Sequence, residues 1–440
     1  VSDTVEAAGE KVPARRVLGL AVPALGVLAA EPLYVLVDTA VVGHLGALPL
    51  AGLAIGGVVL AQVSTQLTFL SYGTTSRTAR LHGAGRRAEA VGEGVQATWL
   101  ALVVGVLVLI AGQLLAGPVA RVLSGSDEVA AQAVSWLRIA LCGAPLILVT
   151  MAGNGWMRGV QDTVRPLRYV LAGNGISAVL CPLLVYVAGW GLVGSAIANV
   201  AAQVISAGLF LRALAAEKVP LAPQPKVIRA QLGLGRDLVL RSLAFQACFV
   251  SAAAVAARTS TDAVGAHQIV LQLWTFLSLV LDSVAIAAQS LVGAALGAGS
   301  ARQARGVAGQ ITRYGLVMGC VLGVVFAAVS PVLPHAFTSD PGVLGEVPHA
   351  WWFFVALQPI AGVVFALDGV LLGAGDAAFL RTATLASAAL GFLPLVWASL
   401  GLGWGLTGIW SGLSLFMVLR LSAVVARWRS DRWTVLGAVR

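Results

Sequence analysis

Apolar runs long enough to cross about 30 Å of hydrocarbon recur along most of this 440-residue chain. Few folds can absorb so many of them in water. Only 11% of the residues are charged and 58% are hydrophobic, a balance that a fully water-exposed surface does not sustain. The sequence therefore predicts an all-α polytopic membrane protein. Marking apolar runs between polar breaks gives about twelve spans, near 15–42, 50–78, 92–115, 131–157, 166–188, 192–214, 237–257, 263–296, 307–329, 347–372, 382–400 and 404–426. The run after Pro13 has no small-residue cleavage site and reads as the first span rather than a signal peptide.

A net charge of +9 raises the question of nucleic acid, but the positions of the charges answer it differently. Lys11, Arg15 and Arg16, the stretch RTARLHGAGRR (77–87), Arg158, Arg165 and Arg168 all fall on one side of the alternating spans. So do Arg212, Lys218, Lys226, Arg229 and Arg236 in the central connection, then Arg302, Arg305, Arg381, Arg427, Arg429 and Arg432. Only Arg121, Arg138 and Arg258 fall on the other side. This asymmetry predicts both termini in the cytoplasm, with anionic lipid rather than nucleic acid as the basic surface's neighbour. The four cysteines, Cys142, Cys181, Cys248 and Cys320, lie in apolar segments without metal-ligand spacing, so neither a disulfide framework nor a metal site is expected.

The halves repeat. GWGLVG (189–194) returns as GWGLTG (403–408), 214 residues later, and the same shift carries Pro145 to Pro359, Gly155 to Gly369, Gly159 to Gly373 and Asp162 to Asp376. With one residue of slippage, Ser126-Asp127 meets Ser339-Asp340. Many matches at one offset indicate duplication, and six spans per repeat relate the halves by an axis along the membrane normal. An N-lobe at 15–214, a proline-rich cytoplasmic linker at 215–236 and a C-lobe at 237–428 follow. Two pseudo-symmetric lobes are a transporter's architecture. No nucleotide-binding, metal-binding or nucleophile motif accompanies them, so an enzyme is not expected, and an ion gradient is the expected driving force.

Ionisable residues inside spans are the candidate functional groups, because a charge there is costly unless it faces the bundle interior. Glu31 and Asp38 are seven residues apart, about 700° of helix, and so are expected on one face of the first span. Either carboxylate is a candidate proton carrier. Pro23 and Pro32 each remove a backbone hydrogen bond and are expected to let that span bend. At the local offset of 213, Glu31 maps to Ala244 and Asp38 to Ser251, which lodges the coupling chemistry in the N-lobe. Asp282 and Asp368 lie in C-lobe spans, Asp368 at the position of Asn154; Asp368 is a candidate for cation binding or a shared structural hydrogen bond. Tyr34, Gln62, Thr65, Asn154, Asn174, Ser177, Asn199, Gln203 and Asp282 are candidate cavity residues, with interhelical hydrogen bonding as the alternative for the amides and hydroxyls.

PLYVLVDTAVVGHLG (32–46), GNGWMRGVQDTVRPL (153–167), GWGLVGSAIA (189–198), GAALGAGSARQA (293–304) and LDGVLLGAGD (367–376) together resemble the multidrug and toxic compound extrusion (MATE) family, in its DinF-like branch. The resemblance implies a prokaryotic inner-membrane antiporter, monomeric and without cofactors, that exports amphipathic, often cationic compounds in exchange for H⁺ or Na⁺. It also implies that Asp38 is the central coupling residue. The family's span-5 and span-6 polar positions are occupied here by Ser177, Cys181 and Asn199, a network only partly kept, which favours H⁺ over Na⁺. A lipid-linked oligosaccharide flippase of the same architecture is the alternative. It would need basic residues inside the spans, where the sequence is read as supplying acids and few arginines beyond edge residues such as Arg241.

Overall fold

The computed structural model describes residues 12–438; Lys11, counted above with the cytoplasmic charges, lies outside them. The chain divides into two compact units, Val22–Gly235, and Arg236–Arg440 with the chain up to Ala21. The divisions fall inside α1 (Ala14–Gly43) and inside α9 (Pro225–Thr259). The first unit continues with α2 (Ala47–Leu67), α3 (Phe69–Gly83), α4 (Arg87–Leu123), α5 (Asp127–Leu141), α6 (Ala144–Gly159), α7 (Val164–Pro182) and α8 (Gly191–Ala216). The rest of the chain forms α9 (Pro225–Thr259), α10 (Thr261–Gly297), α11 (Ala301–Ala328), α12 (Pro341–Gly373), α13 (Ala377–Ser387), α14 (Leu393–Leu402) and α15 (Gly405–Arg429). A π-turn at Leu183–Val187 extends α7, and another at Ala388–Phe392 joins α13 to α14.

Among the described residues, eleven helical runs are long and apolar enough to cross a membrane, or twelve if α5 and α6, bent by 49°, form one span. The bend breaks the expected span at 131–157, and its cause is local. Pro145 at the start of α6 lacks an N–H and crowds the carbonyl four residues earlier, while Gly143, itself in a right-handed helical conformation, weakens the helix there by its low propensity. In the second unit Pro359 occupies the repeated position, but Leu357 stands where Gly143 would be and α12 runs through unbroken. Exposed apolar stripes such as Val103, Val106, Leu107, Ile110 and Leu114 on α4 are faces that lipid would cover.

The duplication is visible in the packing. A Cβ on Gly105 would sit 2.4 Å from Cα of Pro145, and one on Gly319 would sit 2.8 Å from Cα of Pro359. Likewise Gly155 closes on the Ser71 carbonyl (2.7 Å) and Gly369 on that of Ala285 (2.2 Å), again 214 residues apart. Small residues let helix backbones meet where lipid supplies no hydrophobic drive for association. The GWG motifs repeat for backbone reasons: φ is 71° at Gly189 and 67° at Gly403, then 52° at Gly191 and 54° at Gly405. The caps refine the register, because α5 starts after Ser126 and α12 after Asp340, an offset of 214 where 213 was expected.

Within 215–236 only a short segment lies outside helices. α8 runs to Ala216 and Pro225 opens α9, leaving 217–224 outside helices. That segment is tied down: the Trp99 indole donates to the Leu221 carbonyl (2.8 Å), and Gln96 donates to Ala222 O (3.0 Å) while accepting from the Gln224 amide (2.7 Å).

One prediction tests the packing. Gly362 and Gly315 face each other so closely that a Cβ on Gly362 would sit 2.0 Å from the Gly315 carbonyl oxygen, whereas a Cβ on Gly57 meets nothing within 4 Å. Gly362→Val is expected to destabilise the second unit by about 1–3 kcal/mol or more, and Gly57→Val to change the melting temperature little in the same detergent.

Candidate functional site

The site is built in the first unit by three helices, and two glycines decide how closely they meet. A Cβ at Gly173 would lie 2.1 Å from Ser206 Oγ and one at Gly194 2.8 Å from the Leu184 carbonyl carbon, so α8 closes on α7 and its π-turn. Along α1 the residues turned to α7 are Ala30, Tyr34 and Asp38, spaced by four. Each has a partner. Asn174 Nδ2 donates to the Ala30 carbonyl (3.1 Å), Tyr34 meets Ser177 (2.9 Å), and Cys181 Sγ donates to Asp38 Oδ1 (3.3 Å). Ser177 Oγ also lies 2.7 Å from the Ala198 carbonyl, which can only accept, so the serine proton goes there and the Tyr34 hydroxyl donates to Ser177.

Asp38 is the centre of this arrangement and is 4% exposed. Its Oδ1 accepts from Ser195 Oγ at 2.6 Å, and Ser195 accepts from the Trp136 indole at 3.1 Å. Both donors to Asp38 are neutral. Among the described residues no cation pairs with Asp38 and no hydrogen bond reaches its Oδ2. A buried carboxylate with one oxygen held and the other open can take up a proton, a metal cation or a ligand's ammonium group there. Asn199, one turn beyond Ser195 on α8, is buried and its Oδ1 has no partner among the described residues.

Other sequence candidates stand apart from this centre. Glu31 is exposed and has no hydrogen-bond or ion-pair partner among the described residues, although a spacing of seven along the continuous α1 places it within about 20° of Asp38 around the axis. The reason is helical drift. Contacts spaced by four residues advance about 40° around the axis per step, so two steps below Asp38 the contact line passes through Ala30 rather than Glu31. Gln62 is half-buried; Thr65 is exposed and its hydroxyl bonds its own helix at the Ala61 carbonyl (2.9 Å). Gln203 lies beside Gly143, and Asn154 is buried with Oδ1 unpartnered among the described residues. Pro23 and Pro32 lie inside α1, which is one continuous helix.

In the second unit Asp282 is half-buried. Asp368 is held by Arg241 (2.5 Å) and Arg420, so it is not an open carboxylate like Asp38. Arg420, 3% exposed on α15, corrects the expectation that span interiors hold few arginines. Sequence reasoning passed over it, and over Ser195 and Trp136 as partners of Asp38. The internal repeat held a signal: Ser195 maps to Ile409 and Cys181 to Leu395, so these polar groups, like Asp38, belong to the first half alone.

Two duplicated sets of membrane-length helices, one of them holding a buried, cation-free carboxylate, make the construction of a transporter. The chain belongs to the MatE family, whose sequence profile matches residues 23–183 and 238–397, once in each half. These proteins are transporters rather than enzymes. Similar proteins include Protein DETOXIFICATION 44, chloroplastic, of Arabidopsis thaliana, 36% identical over 94% of this chain and 81% of its own. DNA damage-inducible protein F of Escherichia coli is 30% identical over 94% and 92% respectively. The fold is shared with a solved MATE structure in the bent conformation, at a TM-score of 0.88 and 20% identity, covering 96% of this chain and 95% of that one.

The Trp136–Ser195–Asp38 chain makes a prediction. Ser195→Ala removes an acceptor from a buried indole and a donor from a buried carboxylate, which should cost about 1–3 kcal/mol. A cycle with Trp136→Phe, read by thermal unfolding, is expected to show a coupling of about 0.5–3 kcal/mol; additivity would mean that the chain is not a unit.

Proposed function

We propose that this protein is a proton-coupled efflux antiporter of a prokaryotic plasma membrane, with both termini in the cytoplasm, and that it exports amphipathic small molecules. The observation that carries the reading is Asp38: buried, bonded on one oxygen by neutral donors, open on the other. Proton coupling is favoured over Na⁺ because a hard cation wants a shell of oxygens. Beside Asp38 a thiol, that of Cys181, stands where an oxygen ligand would be needed. Multidrug export is supported by relatives such as Multidrug resistance protein MdtK of Yersinia pseudotuberculosis, 25% identical over 83% of this chain. The buried Arg420 removes the argument from charge alone for a strictly cationic cargo.

In this reading ionised Asp38 draws its Ser195 bond tight, since a hydrogen bond to a charged acceptor is roughly twice as strong as a neutral one. A proton arriving at Oδ2 cancels the charge and weakens that bond and the Cys181 contact together. α1 then bends where Pro23 and Pro32 leave backbone carbonyls without partners. The proton thus shifts the population between two access states, and cargo and proton alternate.

The test is dye flux in proteoliposomes, with ethidium as cargo, under a pH gradient or a Na⁺ gradient imposed separately. The pH gradient alone is expected to drive flux, and Asp38→Asn to reduce it to background while Glu31→Gln retains most of it. Flux driven only by Na⁺ would overturn proton coupling, and undiminished flux in Asp38→Asn would overturn the role of Asp38.

A further inference from the structure

We propose that Arg241, Asp368 and Arg420 form an anion site inside the second unit, suited to a monovalent carboxylate or halide. Arg241 comes from α9, Asp368 from α12 and Arg420 from α15, and both guanidinium groups converge on one oxygen, Asp368 Oδ2. The Arg241 contact is 2.5 Å. Two positive charges meet one negative charge, and no other carboxylate pairs with either arginine among the described residues. The side chains of Arg241, Asp368 and Arg420 are only 13%, 7% and 3% exposed. An excess positive charge at that depth is costly until something negative accompanies it.

One unfilled hydrogen-bonding position points the same way. Among the described residues Arg241 Nε is buried and donates to nothing, which leaves a donor ready for an acceptor. Aromatic faces offset part of the charge: the Arg420 guanidinium lies 4.9 Å from the Phe245 ring centre and 5.6 Å from that of Phe416, and Arg241 lies 5.6 Å from Phe245. A ring face carries no net charge, so the excess remains. A guanidinium presents its N–H groups as a planar fork that fits a carboxylate, and Arg241, the least buried of the three, is the edge from which one would enter.

The internal repeat shows that the fold does not require these charges. At the offsets of 213 for α1 and 214 elsewhere, the first unit places Leu28, Asn154 and Ser206 where the second has Arg241, Asp368 and Arg420. Ser206 there donates to the Tyr169 carbonyl at 3.3 Å, and none of the three equivalent side chains carries a charge. A junction built neutrally once and with an excess positive charge once has acquired the charge for something other than packing.

The site stands apart from the coupling reading, because binding is measured without any gradient. Purified protein in chloride-free sulfate buffer is titrated with radiolabelled chloride and, separately, with radiolabelled benzoate, while melting temperature reports folding. The expected result is saturable binding approaching one anion per chain. Saturation by benzoate, displaced by excess unlabelled benzoate, would assign the site to a cargo carboxylate; saturation by chloride that benzoate does not displace would assign it to a resident counter-ion. Asp368→Asn, which leaves both arginines and removes their internal acid, should tighten binding several-fold. Arg241→Ala, at the least buried member, should weaken it by about tenfold or more. Folded wild-type protein that binds neither probe saturably, or binding indifferent to Arg241→Ala, overturns the proposal; Arg241→Ala keeps it testable even where substitutions at Arg420 do not fold.

Discussion

Charge placed among apolar helices is the constraint around which the rest of this protein is arranged. A carboxylate or guanidinium there loses most of its hydration, and the surrounding helices have to supply what water no longer does. The two units answer differently. Asp38 is met by neutral donors from Ser195 and Cys181, so its charge is solvated by dipoles but not cancelled. Asp368 is met by two full charges, so its own charge is over-cancelled. A dipole-solvated group can change its protonation without leaving an orphaned counter-charge behind. A carboxylate paired with two guanidiniums sits in an excess of positive charge, and its surroundings favour gain of an anion instead.

Duplication makes that contrast readable, because the scaffold under both sites is the same. Gly105 meets Pro145 as Gly319 meets Pro359, and Gly155 meets Ser71 as Gly369 meets Ala285. These contacts involve backbone atoms, which leave no room for a side chain, so drift at such positions would separate helices. Side chains pointing elsewhere from the same helices are free to differ, and they do. Ser251 stands at the second unit's version of Asp38, and Asn154 at the first unit's version of Asp368. Even the irregular turns differ, with π-turns at Leu183–Val187 and Ala388–Phe392, which are not one offset apart.

Much of this was legible in the sequence, for physical reasons that also explain what was not. Membrane spans announce themselves because every one needs a long apolar run, and the repeat does so because close-approach glycines cannot change. Asp38 was legible because an acid stands out against PLYVLVDTAVVGHLG. Its partners were not, since Ser195 sits among small residues in GSAIA and reads as packing, and Cys181 reads the same way. Arg420 was obscured by the basic residues that follow it in the chain, although it lies well inside α15. Glu31 lies on Asp38's side of α1 by its spacing of seven, but a shared side of the helix does not supply a shared partner. The line of contacts with α7 follows residues spaced by four and leaves Glu31 to one side.

That contact line also explains why the acid stands where it does. α1 and α7 are joined by three successive rungs, Ala30–Asn174, Tyr34–Ser177 and Asp38–Cys181. The first uses a backbone carbonyl and an amide, the second two hydroxyls, and neither changes strength with protonation near neutrality. Only the third rung ends on a carboxylate oxygen, and the same oxygen anchors α8 through Ser195. One proton therefore acts on two helix contacts together and leaves the other two rungs intact. Pro32 lacks the N–H that would bond the Leu28 carbonyl, so α1 loses a backbone hydrogen bond beside the first rung. The stretch of α1 that carries Asp38 is thus the part whose attachment depends on charge, and it begins where the helix is least held by its own backbone.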